Sequence, residues 1–303
     1  MKLPALSMAI VLLAGPAAVF ADDLDDAYQK LKDAVAGKDA ALVKKLVADV
    51  FPLACEAAAA PAPKDDDEKP AWTNRVANAK SIEDYTEYAL YATAIQSPAA
   101  VLVDLISTLE QQSPKSKYLD EAYGPYLVAL SQTGAGSKVT SIAEKGLVNF
   151  PENEDLLLVL ADSALAKNPD RALALANRLT AALTRHSKPQ SISAPDWERK
   201  RSAGLGRGYW IAGVIYGAKS QYVNADKSLR AALPLIKGND SMTGPALFFL
   251  GMANYNLGKM TMNKAKIVEA AKFSEQSAAI AGAYTDQARH NALVMKAEAD
   301  KMR

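Results

Sequence analysis

Apolar residues recur every three or four positions along most of this chain, which is the spacing of one face of an α-helix. In residues 22–59 they form two stripes separated by Gly37, the first including Leu31 and the second including Val43 and Val47. A glycine between two such stripes is a common break between helices. The pattern therefore predicts an amphipathic helical hairpin at 22–59.

Residues 60–71 lack this apolar period and are rich in proline, alanine and charge. The run from Lys64 to Pro70 contains four acidic residues, but it lacks the glycine and the terminal glutamate of a calcium-binding loop. We therefore interpret 60–71 as a solvated linker.

From residue 72 onward, apolar stripes alternate with signals that begin helices. Pro98, Pro169 and Pro195 suit a first helical turn, where the missing N–H costs nothing, and Ser81 with Asp84 resembles a capping box. The apolar residues are mostly alanine and leucine, which favours helix over strand. We expect an all-α protein whose residues 72–303 form successive helix pairs and end in a capping helix. The buried stripe of that last helix is predicted to contain Ala288, Ala292, Met295 and Ala299.

Two stretches near the C-terminal end repeat one pattern about 38 residues apart, measured from Gly213 to Gly251. In each, a small residue between large ones would let two antiparallel helices approach closely. The spacings resemble a tetratricopeptide repeat, most closely at 205–260 and loosely over 81–300. This resemblance implies a right-handed α-solenoid of tetratricopeptide-like helix hairpins, preceded by the N-terminal helical hairpin. The residues that it assigns to repeat packing are Gly213, Tyr216, Ala225, Leu229, Ala232, Leu250 and Gly251.

In a tetratricopeptide stack the first helix of each pair lines the concave surface. The resemblance places seven residues there as a partner-binding face: Arg207, Trp210, Val214, Phe248, Met252, Tyr255 and Asn256. Aromatic and methionine side chains of this kind suit a protein segment, because they offer large buried area at low entropic cost. Two alternatives stay open: each residue packs against an adjacent helix, or the aromatics close a pocket for a small apolar or glycan ligand.

The first 21 residues are typical of a secretory signal peptide. Lys2 supplies the positive start, residues 9–13 an apolar run, and residues 19–21 a small-residue cleavage site. The apolar run is too short to span a bilayer, although a membrane anchor is the alternative. We expect an exported protein, periplasmic or secreted, with no transmembrane segment in the mature chain.

Without that leader, the chain contains 34 basic and 34 acidic residues. A neutral protein lacks the positive field that nucleic-acid binding requires, so we expect no nucleic-acid partner. A local basic cluster at 199–201 with Arg207 leaves an anionic partner open.

The single cysteine, Cys55, excludes an intramolecular disulfide framework. Lipid attachment, an intermolecular disulfide and an unreactive thiol on a helix are the three interpretations of this residue.

Motifs for catalysis or cofactor binding are absent from the sequence. His186 and His290 are far apart and have no partner at helical spacing, so we expect no metal site. The fragment Gly204–Gly208 lacks a preceding strand and the lysine of a phosphate-binding loop. Glu87 and Glu121 stand beside aromatic residues, and an unrecognised carboxylate site is the remaining enzymatic alternative. We predict a non-enzymatic scaffold for protein–protein interaction in a bacterial cell envelope, with no cofactor.

Overall fold

We analysed a computed structural model of this chain, which describes the backbone of residues 16–302 and the side chains of residues 23–302. Every regular element in that range is helical. The predicted signal peptide at 1–21 lies outside the residues whose side chains are described. No described helix combines the length and the apolar character needed to cross a membrane.

The described residues divide into two compact units, with the boundary between Gly136 and Ser137. A short 3-10 helix, Asp66–Glu68, precedes the third α-helix of the N-terminal unit. The α-helices of this unit are α1 (Pro16–Ala36), α2 (Ala40–Ala58), α3 (Lys69–Ala94), α4 (Ala99–Gln112) and α5 (Lys117–Gln132).

The first two helices form a hairpin because their apolar stripes face each other across a three-residue connection. Leu31 of α1 and Val47 of α2 are fully buried, and Lys38 adopts a positive φ of 56° at the turn. The side chain of Asp39 then caps α2 by accepting a hydrogen bond from the backbone N–H of Leu42 at 3.0 Å. This hairpin packs on α3.

The segment interpreted as a linker is shorter than expected, because α3 already begins at Lys69. The prediction of a helix start at Ser81 was wrong, since α3 passes through that residue without a break. Ser81 is exposed, while Ala79 and Ile82 continue the buried stripe on either side of it. A capping-box pattern in the sequence does not start a new helix at a position where an existing helix continues with its apolar face covered.

The C-terminal unit follows a short 3-10 turn, Gly136–Lys138. Asparagine side chains cap several of its helices, as Asn153, Asn168 and Asn239 each accept a hydrogen bond from a first-turn backbone N–H. Its helices are α6 (Val139–Asn149), α7 (Glu154–Ala164), α8 (Pro169–Arg185), α9 (Ala194–Ala218), α10 (Tyr222–Ala232), α11 (Asp240–Met260), α12 (Lys264–Ala278) and α13 (Thr285–Lys301).

Helices adjacent in the sequence pack against each other throughout the C-terminal unit. Helices α7, α9, α11 and α13 also pack against one another in that order. Within the described residues the backbones of α8, α10 and α12 do not approach one another in this way, and α10 reaches α12 through the side chain of Arg230. Helices α7, α9 and α11, each the first of a pair with the helix that follows it, therefore form one continuous layer that ends with α13. The fold is all-α with consecutive packing, which is consistent with a helical-repeat solenoid.

Glycines mark the closest approaches between helices. A Cβ at Gly213 would lie 2.4 Å from Cγ of Leu229, and one at Gly251 would lie 2.5 Å from Oγ of Ser274 and 3.2 Å from the carbonyl oxygen of Ala270. Four other residues assigned to repeat packing, Ala225, Leu229, Ala232 and Leu250, are fully buried, while Tyr216 is half-buried.

The glycine-rich fragment Gly204–Gly208 lies inside α9 and forms no loop. A Cβ at Gly204 would lie 2.6 Å from Leu183, and one at Gly208 would lie 2.7 Å from Thr180, so both glycines face α8. Their function in this fold is therefore close helix packing.

The last helix covers the end of the unit. The four residues predicted for its buried stripe, at positions 288, 292, 295 and 299, are all buried. Met295 and Ala299 belong to an apolar cluster with Ile267, Ala270 and Ala271 of α12.

We expect Gly251→Ala to lower the free energy of unfolding by about 1–3 kcal/mol, because the added methyl group meets the backbone of α12. Gly244→Ala on the same helix is the matched control, since the nearest atom to its Cβ is a methyl group of Ile280 at 3.4 Å. Alanine has the higher helix propensity, so this control should be neutral or stabilising by up to about 1 kcal/mol. Urea unfolding of both variants measures the difference, and equal stabilities would contradict the close-approach argument.

Candidate binding site

Five tyrosines of the N-terminal unit form a continuous row across α1, α3 and α5. Tyr28 contacts Tyr85 with ring centroids 5.1 Å apart, and Tyr85 contacts Tyr88 at 5.8 Å. Tyr118 lies between Tyr88 and Tyr91, at 5.7 Å and 5.6 Å from their rings. We call these residues the tyrosine row.

The positions of the rings follow from helix geometry. Three tyrosines at 85, 88 and 91 recur at helical spacing, so they share one face of α3. Because α3 contacts both α1 and α5, Tyr28 and Tyr118 reach that face from either side. The row therefore spans three helices.

The row remains partly open to solvent. Tyr88 is 41% exposed, and the other four rings are half-buried. Each ring is held by at least one other ring, so little side-chain entropy is left to lose when a ligand binds. This is a preformed aromatic surface.

Charged side chains flank the row and are paired. The Nζ of Lys117 lies 2.8 Å from Asp84 and 4.9 Å from the centroid of the Tyr118 ring. The hydroxyl of Tyr118 donates to Asp84 at 3.2 Å, and that of Tyr91 donates to Glu121 at 3.1 Å. Hydroxyl and carboxylate groups therefore stand beside the aromatic faces.

Burial raises the pKa of two tyrosines in the row. For Tyr85 the neighbouring Tyr28 and Tyr88 add to the effect, and for Tyr118 the negative charge of Asp84 does so. Both hydroxyls therefore stay protonated to a higher pH than in the unfolded chain.

Of the two glutamates noted beside aromatics, only Glu121 hydrogen-bonds to the row. Glu87 lies close enough to Cys55 to help raise its pKa, after burial of the thiol and the nearby Glu83, which have larger effects. A raised thiol pKa lowers the fraction of thiolate, the reactive form.

Arg207 and Trp210 of the predicted concave face join three helices. Arg207 donates to Asp162 of α7 at 2.7 Å, and its guanidinium lies 4.6 Å from the Trp210 ring. The Nε1 of Trp210 donates to the carbonyl oxygen of Met242 at 2.8 Å, and the residue is only 9% exposed. Val214, one turn further, is half-buried.

The remaining predicted residues lie on α11 and contact mainly α12, α13 and the segment before α13. Phe248, 5% exposed, stacks on Tyr284 at 4.4 Å. Met252 packs against the apolar cluster of α12 and α13, Tyr255 donates a hydrogen bond to Glu298, and Asn256 donates to the carbonyl oxygen of Met252 at 2.8 Å.

The seven predicted residues therefore lie in two groups: those on α9, which contact α7 and α11, and those on α11, which contact α12, α13 and the segment before α13. Two of the aromatic residues, Trp210 and Phe248, are covered by neighbouring elements, and their surroundings match the packing alternative for those two. Val214, Met252, Tyr255 and Asn256 keep part of their surface exposed.

The basic cluster on α9 is neutralised by acidic neighbours. Arg199 pairs with Asp196 at 2.6 Å, and Lys200 pairs with Glu154 and Asp155 at 3.0 and 2.7 Å. Arg201 lies 3.7 Å from Glu198. The positive charge available to an anionic partner is correspondingly small.

His186 lies within 3.5 Å of both Glu152 and Glu154. Even so, no group of three or more histidine, cysteine, aspartate or glutamate side chains in the described range could hold a metal ion.

A polar network around one buried asparagine was not predicted from the sequence. Asn254 of α11 is fully buried, donates to Asp226 at 2.6 Å and accepts from Arg230 at 3.2 Å. Arg230 also donates to Glu269 of α12 at 2.8 Å. The network connects three helices and satisfies the buried amide.

No protein-family model matches this chain, and no curated protein or solved structure matches it. The geometry of the candidate sites therefore supplies the argument for function.

We expect the stability to fall as pH rises above about 10, the ordinary pKa of tyrosine. The raised pKa values of Tyr85 and Tyr118 mean that these side chains ionise first in the unfolded chain. Their stabilising contribution is complete below pH 10 and disappears as pH rises through the folded-state values.

Urea unfolding at several pH values between 8 and 11 measures this decline. Replacing both residues by phenylalanine should make it shallower, because neither position can then ionise. If the double variant lost stability with pH as steeply as the parent protein does, the decline could not be due to ionisation of Tyr85 and Tyr118.

Proposed function

We propose that this protein is a non-enzymatic scaffold that binds a protein segment along the tyrosine row. The observation that supports it most directly is a preformed row of five aromatic rings with its central member, Tyr88, 41% exposed. Tyrosine is enriched among residues that dominate the energy of protein interfaces.

The spacing of the rings suits an extended segment. Consecutive centroids are 5.1–5.8 Å apart. Side chains on one face of an extended strand recur about every 6.6 Å, at twice the rise per residue. The two spacings differ by about 1 Å per step, so alternate apolar side chains of a bound segment can contact two or three neighbouring rings in register.

The polar neighbours of the row give such a segment hydrogen-bonding groups. The carboxylates of Asp84 and Glu121 accept hydrogen bonds, and Lys117 donates them. Two carboxylates and one ammonium group stand beside the rings, so we propose a partner segment without a large negative charge.

The wider proposal retains the features implied by the sequence. The helix pairs are tetratricopeptide-like and form a right-handed solenoid, and the leader directs the chain out of the cytoplasm to the cell envelope. The partly exposed residues on α9 and α11, including Val214 and Met252, supply a second contact surface in the C-terminal unit. The consecutive packing of helices supports this architecture.

The test begins with the mature chain, residues 22–303, and a peptide selected on it from a random display library. We expect Tyr88→Ala and Tyr118→Ala to weaken peptide binding at least tenfold, because each removes an aromatic contact surface. Tyr88→Phe should retain most of the affinity, since the ring face remains. Calorimetric titration gives the dissociation constants.

Tyr222→Ala is the matched control, because Tyr222 is a half-buried tyrosine of α10 outside the row. Peptides that bind all three alanine variants as well as the parent protein would exclude the row as the binding site. If oligosaccharides bound the row and selected peptides did not, the protein-scaffold proposal would give way to the glycan alternative.

A further inference from the structure

A second candidate site lies in the N-terminal unit, where α1, α2 and α3 surround a cavity of about 360 Å³. This volume is near the lower end of the range for small-molecule pockets, about 300–1,000 Å³. Its walls are mainly apolar and include Leu24, Leu53, Ala57, Pro61, Trp72 and Val76.

One wall of the cavity is held in place by a hydrogen bond. The Nε1 of Trp72 donates to the carbonyl oxygen of Ala60 at 2.9 Å, which ties the segment after α2 to α3. Because its only polar group is already satisfied, the indole offers the cavity an apolar surface.

Charges of both signs also line the cavity. Arg75 stands one turn from Trp72 on α3, and Glu56 is on α2. Within the described residues neither side chain forms an ion pair or hydrogen bond, and the two do not pair with each other. Asp25 of α1 adds a second carboxylate and accepts a hydrogen bond from Asn78 at 3.3 Å.

This arrangement selects among amphipathic ligands. An apolar carboxylate would gain from Arg75 but would face two carboxylates, whereas an apolar amine would leave Arg75 without a partner. A zwitterion with an apolar body places its carboxylate near Arg75 and its ammonium group near Glu56 or Asp25.

We infer that this cavity is a binding site for a small apolar zwitterion, of which a dipeptide with two aliphatic side chains is the representative probe. The ligand's side chains occupy the apolar space against Trp72, and its two termini meet the opposite charges of the lining. The cavity contains no member of the tyrosine row, so this inference does not depend on the proposed function.

The experiment is calorimetric titration of the mature chain, residues 22–303, with leucyl-leucine, its N-acetyl derivative and its C-terminal amide. We expect the free dipeptide to bind most tightly. Arg75→Gln should weaken its binding about two- to fivefold, the effect of one solvent-screened charge pair, and should remove the preference over the amide. Glu56→Gln should reduce the preference over the N-acetyl derivative in the same way.

A cavity-filling variant tests the apolar part of the site. Ala57→Leu places three additional carbons against the cavity and should weaken dipeptide binding at least tenfold. Ala48→Leu, at an exposed position of the same helix that does not line the cavity, is the matched control and should bind as the parent does.

Octanoate, an apolar carboxylate, is titrated in the same way. Three results would overturn the inference: no heat of binding at millimolar dipeptide, equal affinity for the dipeptide, its N-acetyl derivative and its amide, or tighter binding of octanoate than of the dipeptide. Arg75 and Glu56 are exposed, so their variants remain informative if Ala57→Leu fails to fold. Tyr88→Ala should leave dipeptide binding unchanged, and the two proposals can therefore fail separately.

Discussion

Close contact between consecutive helices is the constraint on which the rest of this structure depends. In the C-terminal unit glycines remove the side chain where α9 meets α8 and α10 and where α11 meets α12, and no Cβ fits at Gly213 or Gly251 without displacing a neighbour. Elsewhere fully buried alanines such as Ala89 and Ala143 keep the side chain small. Because each helix packs closely on the next, alternate helices also contact one another. In the N-terminal unit α3 contacts α1 and α5 in this way, and these contacts bring together the helices that carry the tyrosine row.

The fate of an aromatic residue in this fold depends on whether a neighbouring element covers it. Trp210 and Phe248 lie on first helices, as tetratricopeptide spacing implies, yet the start of α11 and the segment before α13 cover them. Tyr88 lies on a first helix too, but its neighbours are other tyrosines, and 41% of it stays exposed. An aromatic ring buried between helices stabilises the fold, whereas an exposed ring is available to a partner.

The two candidate sites of the N-terminal unit differ in the ligand that their physical chemistry favours. The tyrosine row is an open surface across three helices, and its charges are paired with the rings or with each other. The cavity beside Trp72 is a small, mainly apolar space, and two of its lining charges, Arg75 and Glu56, form no ion pair or hydrogen bond within the described residues. An open row suits a long segment with many weak contacts, and a small cavity suits a ligand whose two charged ends are close together.

Sequence patterns by themselves determined the helical class, the hairpin whose two helices are separated at Gly37, the close approach at Gly213 and Gly251, and the buried stripe of α13. These features depend on residues a few positions apart. The spacing of Tyr85, Tyr88 and Tyr91 was a usable signal for part of the row. Only the tertiary structure joined Tyr28 and Tyr118 to them, enclosed the cavity beside Trp72 and buried Trp210. Those outcomes depend on which helix faces which, and residues distant in sequence decide that by packing.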